Sequence, residues 1–396
     1  MVMLILIAIF ALYLFVGQIT TGLYQSDRAQ NAAEALAEAK QALIGDAIST
    51  QQVKDAGYLR LPDLGTSFGV PTEGQASGTF AGGSKDFTAI GKFPWKTLAT
   101  PPLRDRDKEC LWYVVSGRFK VTPPTDALNW DTQGQIDLID GQGNILAANL
   151  AALLVAPGTP LDGQSRALAD ATYDQCGGNY DARNYLDAFD SANAISGEVN
   201  YFAGSTNHRV ALNKNNKRFV LANTVHFNDG ILVVTTDEIF NSVIKRGDFA
   251  TAVSNLLDDP TFQTHLQNVL ISGNKGSDNI DCHCNNLTCT AIAGDPFQAF
   301  CKNWKDMLLL TQLVPPSSIT INGATSGSCN RVLFFGGRKI AGQNRGTGAE
   351  IADKNNYLDG NNASSFSAPV TTTANFTGAL NFDWHNAGTD LVRCIP

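Results

Sequence analysis

Charge is scarce in this chain, and at its start it is missing altogether. Only 17% of the 396 residues are charged, and no Asp, Glu, Lys or Arg precedes Asp27. Several enzyme signatures are missing too. There is no phosphate-binding loop; Gly78-Thr-Phe-Ala-Gly-Gly-Ser84-Lys85 carries its Ser and Lys in the reverse order. No dinucleotide fingerprint and no paired-His zinc helix occur. The absence of Cys-x-x-Cys-His excludes a covalently attached c-type haem, and with it a cytochrome wire. A positive footprint is also wanting. The net charge of −8 and pI near 5.1 oppose a general nucleic-acid-binding surface.

What stands at the uncharged start is an apolar run. Met1, Val2, Met3, Leu4, Ile5, Leu6, Ile7, Ile9, Phe10, Leu12, Tyr13, Leu14, Phe15 and Val16, with two alanines among them, form it. It fades through Gly17 to Gly22, and a helical pattern then follows over about 24–48. Ala29, Ala32, Ala33, Leu36, Ala39, Leu43 and Ile44 recur at spacings of three and four, which is an amphipathic stripe. Gly45 and Asp46–Thr50 are expected to fray its end. One helix over residues 1–50 would be ~75 Å long. A soluble domain cannot cover that length, so lipid or further copies must shelter the first half. A secretory signal would place basic residues before the run and a cleavage site after it. Neither is present, so the run reads as the start of a processed chain.

The eight cysteines are Cys110, Cys176, Cys282, Cys284, Cys289, Cys301, Cys329 and Cys394. With an exported start, disulfides are expected; the pairing stays open. Cys282 and Cys284 are too close to bridge each other. Cys282-His283-Cys284 with Cys289 and Cys301 invites a zinc reading, but the spacing differs from paired Cys-x-x-Cys, and disulfides are the better account. No metal and no cofactor are expected.

Along the chain, Leu59–Gly83 reads as loop. It contains Gly65-Thr66-Ser67-Phe68-Gly69, which matches a nucleophile elbow in letters but lacks the strand before it and the helix after it. Glu109–Gly117 reads as a strand. Ile136–Ile145 reads as two strands around a turn, with Asp137, Asp140 and Asn144 as turn residues rather than calcium ligands. Leu150–Ala156 reads as a buried strand ended by Pro157–Pro160, where a domain boundary is expected. Short helical turns are expected at Ala167–Ala171 and Tyr185–Asp190. Arg218–Phe227 and Ile231–Thr236 flank Asn228-Asp229-Gly230 and predict a hairpin, with His226 as a packed residue. Asp237–Leu257 predicts one amphipathic helix capped by Thr236, and Pro260 opens another that ends near Gly273. Phe297–Leu313 predicts a helix stopped by Pro315-Pro316. Arg331–Gly336 is a buried strand, Gly360–Gly378 an exposed loop, and Leu391–Cys394 a final strand tied by a disulfide. Asn286, Asn362 and Asn375 fit the N-glycosylation acceptor pattern.

The apolar first stretch, the Ala-rich amphipathic continuation and the globular remainder together resemble a mature type IV pilin or a type II secretion pseudopilin. Asp-rich residues leading into the aromatic strand at Glu109–Gly117 are similar to the start of the small sheet in that family. The resemblance implies an α+β fold: a long N-terminal α-helix followed by antiparallel β-rich, disulfide-containing globular domains. It implies an assembly helix at 1–50, a small pilin-like β domain at 51–160 and a larger outer domain at 161–396. It further implies a non-enzymatic filament subunit, held in the inner membrane before assembly and at the cell surface after it. The implied partners are further copies of the chain, inner-membrane assembly machinery, a prepilin peptidase, and surfaces or other cells. The family's early Glu is replaced here by Ile5, and its Pro near residue 22 is missing, with Gly17 and Gly22 nearby. Both departures fit a minor, tip-located adhesin-like subunit. A single-pass anchor carrying a binding protein or an enzyme accounts for the same ~20 apolar residues.

Overall fold

Alanines and leucines at helical spacing form α1, residues 30–48, in the computed structural model, which describes residues 30–50, 53–67, 70–80, 87–122, 127–166, 175–187, 217–223, 227–282 and 296–396. The expected core helix of the first 16 residues, Ala29, the Ala167–Ala171 turn, His226, His283, Cys284, Asn286 and Cys289 all lie outside the described residues. Leu36, Ala39, Leu43 and Ala47 are buried. The stripe is therefore real, but Ala33 is exposed and Ile44 only half-buried. Gly45 does not fray the helix, which runs on to residue 48. The Arg246 guanidinium then donates to the carbonyls of Ile48 and Thr50, the latter at 3.0 Å.

The described residues divide into two units. The first comprises residues up to 46, 59–125 and 134–235. It holds a short hairpin, β1 (Thr66–Ser67) with β2 (Val70–Pro71), and then β3 (Ala89–Lys92), β4 (Trp112–Val115), β5 (Ile136–Asp140), β6 (Ile145–Leu150), β7 (Ala152–Ala156), β8 (Lys217–Leu221) and β9 (Gly230–Val234). Strands β3, β4, β7 and β9 form one antiparallel sheet in the order β3-β4-β7-β9. The unbroken apolar runs Trp112–Val115 and Ala152–Ala156 suit strands covered on both faces, and both are buried throughout. One face, with Ile90, Trp112, Val114, Leu153 and Val155, packs in a single core with Ile136, Ile139, Phe219, Tyr185 and Phe227. On the other face, Leu36 of α1 lies 3.9 Å from the position of a Cβ on Gly230.

The second sheet runs β6-β5-β8, with β5 and β8 parallel. The β5–β6 turn is the expected one. Asp140 accepts hydrogen bonds from the Gln142 and Asn144 amides at 2.9 and 2.8 Å, and Gly143 supplies the φ of +86°. The hairpin expected across Asn228-Asp229-Gly230 does not form. Strand β8 pairs with β5 and β9 with β7, in different sheets, so the turn joins two layers instead of two neighbours. Residues 134–235, which include the boundary expected near 160, lie within the first unit, and the chain passes between the two units after residues 46, 58, 125, 133 and 235.

The second unit comprises 47–58, 126–133 and 236–396. Helices α2 (Thr236–Val243) and α3 (Gly247–Asp258) replace the single helix expected over Asp237–Leu257, and α4 (Pro260–Asn268) opens at Pro260 as expected but ends before Gly273. The break falls where Arg246 turns extended, at φ −63° and ψ 137°, just before Gly247. Thr236 is the first residue of α2, and its hydroxyl donates to the Thr132 carbonyl at 2.9 Å. Asp259 caps α4, accepting from the Phe262 amide at 2.7 Å, with Pro260 at the first turn. Helix α5 (Pro296–Trp304) stops well short of Leu313; the chain enters strand β10 (Leu308–Ser317) instead. Leu308, Leu309 and Leu310 are wholly buried there. Pro315 and Pro316 sit in the irregularity between Gln312 and Ser317, where no ladder N–H is required.

Beyond it lie β11 (Thr320–Ile321), β12 (Ala324–Thr325), β13 (Cys329–Phe335), α6 (Gly348–Ala352), α7 (Gly360–Ser365), β14 (Val370–Thr371), β15 (Thr377–Gly378) and β16 (Leu391–Ile395). The main sheet is β14-β10-β13-β16 and a small one is β12-β11-β15. The region 360–378 is therefore no simple loop. It holds a helix and two strands, and it buries Phe366 and Phe376 against Phe334. The core around α3 and α5 is aromatic: Trp130 meets Trp304 at 4.6 Å, and Phe249 meets Trp304 and Phe382 at 5.1 and 4.9 Å. The architecture is mixed α+β with antiparallel sheets and disulfides.

Candidate functional site

The six described cysteines form three bridges: Cys110–Cys176, Cys282–Cys301 and Cys329–Cys394. Cys282 reaches α5, as its distance rule against Cys284 required, and Cys394 ties the last strand to the start of β13. Among the described residues, no group of three or more His, Cys, Asp or Glu is placed to hold a metal ion. Asp140 closes its own turn as expected, whereas Asp137 is a buried residue within β5 that accepts from the Asn149 amide of β6 at 2.9 Å and is not part of the turn. The elbow-like Thr66-Ser67 lies in the β1–β2 hairpin, not on a strand-to-helix turn.

Polar chemistry collects instead in the interior of each unit, mostly on residues that the sequence patterns did not single out. In the first unit, Asp63 is fully buried and accepts from the Gly65 and Gly74 amides and the Tyr180 hydroxyl at 2.9, 2.6 and 2.9 Å. Burial pushes its pKa up to about 6, against those hydrogen bonds. Asp105 takes the amides of Asp107, Glu109 and Gly158 and is likewise raised by burial to about 6. Arg166 is a hub: it donates to the carbonyls of Gly158, Asn184 and Tyr185 at 2.6, 2.7 and 3.0 Å and stands 3.6 Å from the Glu109 carboxylate. Lys92, buried on β3, donates to the Gly177 carbonyl at 2.5 Å and lies 4.6 Å from the centre of the Tyr180 ring.

Asp187 and Asp229 clasp each other. The Asp187 amide donates to Asp229 at 2.9 Å, while the Asp229 and Asn228 amides donate to Asp187 Oδ2 at 2.8 and 2.5 Å. Their remaining oxygens have no hydrogen-bond partner among the described residues. Burial raises both acids, Asp187 to about 6 and Asp229 well beyond the usual range, with Asp187 adding to the rise at Asp229. Two buried like charges at this separation favour a neutral member.

In the second unit, Arg345 is 4% exposed and donates to Asp131 at 2.9 Å and to the Gly337 carbonyl at 2.9 Å, over the Tyr357 ring. Lys275 stands 3.7 Å from the same ring centre and donates to the Asp306 and Ile351 carbonyls. Burial lowers the Lys275 pKa to about 8. Asp390 accepts from the Asp359 amide and Asn362 Nδ2 at 2.9 and 2.7 Å, and burial lifts it to about 7. These arrangements direct charge onto backbone groups, so their chemistry is to pin irregular segments. Their sequence signal is slight: a single charge beside proline at Asp63 or beside glycine at Asp229.

The other functional stretch expected from sequence is the helix. On α1, Asn31, Ala33, Glu34, Ala37, Glu38 and Gln41 are exposed, opposite the buried stripe. No described helix is long and apolar enough to cross a membrane, and the run of residues 1–16 is outside that statement. Compared with protein-family models, curated proteins and solved structures, the chain finds no significant match.

Proposed function

We propose that the chain is a structural subunit of an extracellular type IV pilus-like or pseudopilus filament, assembled by packing of its N-terminal segments. The observation that carries this reading is the sidedness of α1. The helix buries one stripe against its own fold and leaves a face of Ala, Glu, Gln and Asn open, and in sequence it comes after an apolar run over residues 1–16. At ~25 cal/mol per Å2, gathering such runs together and away from water is worth more than any surface contact. The small exposed alanines allow close helix approach. Three disulfides suit an oxidising, extracytoplasmic setting. The partners are further copies of the chain, with an inner-membrane assembly machine and a prepilin peptidase acting before them.

Ile5, in place of the acidic residue of the resembling family, favours a second reading as a minor, tip-located subunit. Counting copies per fibre separates the two. The test of both is Leu6→Asp combined with Phe10→Asp, read by electron microscopy of surface fibres. The double variant is expected to yield none when it is the only source of the subunit. Fibres of normal length and number from it would sink the proposal. A third class, a single-pass anchored binding protein or enzyme, is the outcome if residues 51–396 alone retain the full cellular activity.

A further inference from the structure

The acceptor pattern Asn-x-Ser/Thr occurs at Asn286, Asn362 and Asn375, and the fold treats the two described copies in opposite ways. Asn362 lies on α7 and is 3% exposed. Its Nδ2 donates to the Thr377 carbonyl and to Asp390 Oδ2, each at 2.7 Å, and its Oδ1 accepts from the Thr377 amide at 3.0 Å. Every polar atom of that amide is engaged. The side chain thus fastens α7 to β15, and the hydroxyl of Ser364, the third residue of the pattern, donates to the Asn361 carbonyl at 3.0 Å.

Asn375 stands just before β15, after the exposed residues Thr372 and Thr373. Asn375 and Thr377 are exposed, while Phe376 between them is 1% exposed and packs on Phe334 at 4.9 Å. Extended backbone sends alternate side chains to opposite sides. The buried Phe376 therefore anchors the segment and presents the amide and the hydroxyl together on the outer side. An enzyme that reads Asn and Thr as a pair needs that presentation.

We propose that Asn375 is an N-glycan acceptor and that the native fold withholds Asn362 from the same modification. The sugar donor is a lipid-linked oligosaccharyl diphosphate. A bond forms between Asn375 Nδ2 and the anomeric carbon, the bond from that carbon to the diphosphate oxygen breaks, the amide nitrogen gives up one proton, and the lipid diphosphate leaves with the bonding pair. The disulfides point to the compartment in which such transfer takes place. This inference does not depend on filament assembly.

The experiment uses the whole purified chain in two forms, native with its disulfides formed and reduced with its thiols alkylated. Each is incubated with an oligosaccharyltransferase and a lipid-linked oligosaccharide, and site occupancy is read by peptide mass spectrometry. In the native chain Asn375 is expected to be occupied roughly a hundredfold more than Asn362, because three hydrogen bonds of about 1 kcal/mol each must be released at Asn362. In the alkylated chain the two occupancies converge. Asn375→Gln removes the native modification, and Asn362→Gln leaves Asn375 occupied if its disulfides still form. Native occupancy at Asn362 overturns the proposal, and so does a bare Asn375 in either form.

Discussion

In the first unit burial raises the buried aspartates Asp63, Asp105, Asp187 and Asp229. The second raises Asp131, Asp359 and Asp390 in the same way but also holds Lys275 below its ordinary value. The difference is one of sign. An acid lifted in the folded state is favoured protonated, so its contribution is full below its unfolded value near 3.8 and lost as pH rises through about 6 at Asp63. A lysine lowered to about 8 contributes fully above its unfolded 10.5 and loses that contribution as pH falls through about 8. Mild acid therefore strengthens both units, whereas the gain between about pH 8 and 10.5 comes from Lys275 of the second. Buried charge here is a device for holding loops, and its cost is set by how many backbone groups it satisfies.

The largest expected effect sharpens the contrast between an aromatic and a polar interior. Trp304→Ala removes a ring that meets Trp130, Phe249 and Phe300. It should cost about 3–5 kcal/mol in denaturant unfolding of the second unit. A loss under about 1 kcal/mol would show that the aromatic cluster is not its core. Lys275→Met comes next. It leaves the Asp306 and Ile351 carbonyls without their donor and should cost about 1–3 kcal/mol at pH 7. It should also abolish the gain in stability between pH 8 and 10.5; an unchanged alkaline limb in thermal melts breaks the assignment.

Asp187→Asn is expected to act in the opposite direction. Both amide donors use Oδ2, and Oδ1 has no partner among the described residues, so an amide oxygen can keep both bonds while the charge disappears. Stability at pH 8 should rise by about 1 kcal/mol and the decline from pH 4 to 6 should flatten. A destabilised variant would show that the carboxylate is wanted ionised. The smallest effect is Ile145→Thr. Ile145 is 58% exposed on β6, and the change should stay within about 0.5 kcal/mol. A larger loss in melting experiments would mean that this strand is covered in solution.

Several elements were legible from residues alone because neighbours in sequence set them. Trp112–Val115 and Ala152–Ala156 are unbroken apolar runs, and the Asp140–Asn144 turn carries its own acceptors and its glycine. The Leu36, Ala39 and Leu43 stripe of α1 was visible for the same reason. Misreadings fell where distant partners decide. Leu308–Leu310 fits a helix or a strand equally well as a short apolar run, and pairing with Leu333–Phe335 of β13 makes it a strand. Asn228-Asp229-Gly230 is a turn in either reading, yet its flanks join different sheets. Of the interior polar sites, little was legible, since Asp63 meets Tyr180 across 117 residues and Arg345 meets Asp131 across 214.

By itself the sequence determined the apolar run of residues 1–16, the striped helix that follows it, the oxidising chemistry of the cysteines and the strongest strands, because each rests on short-range periodicity or composition. Only the tertiary structure decided which cysteines meet, which acceptor asparagine faces water and which aspartates lose their solvent. Those outcomes depend on what a side chain touches, and a buried carboxylate or amide finds its partner through the fold of the whole unit.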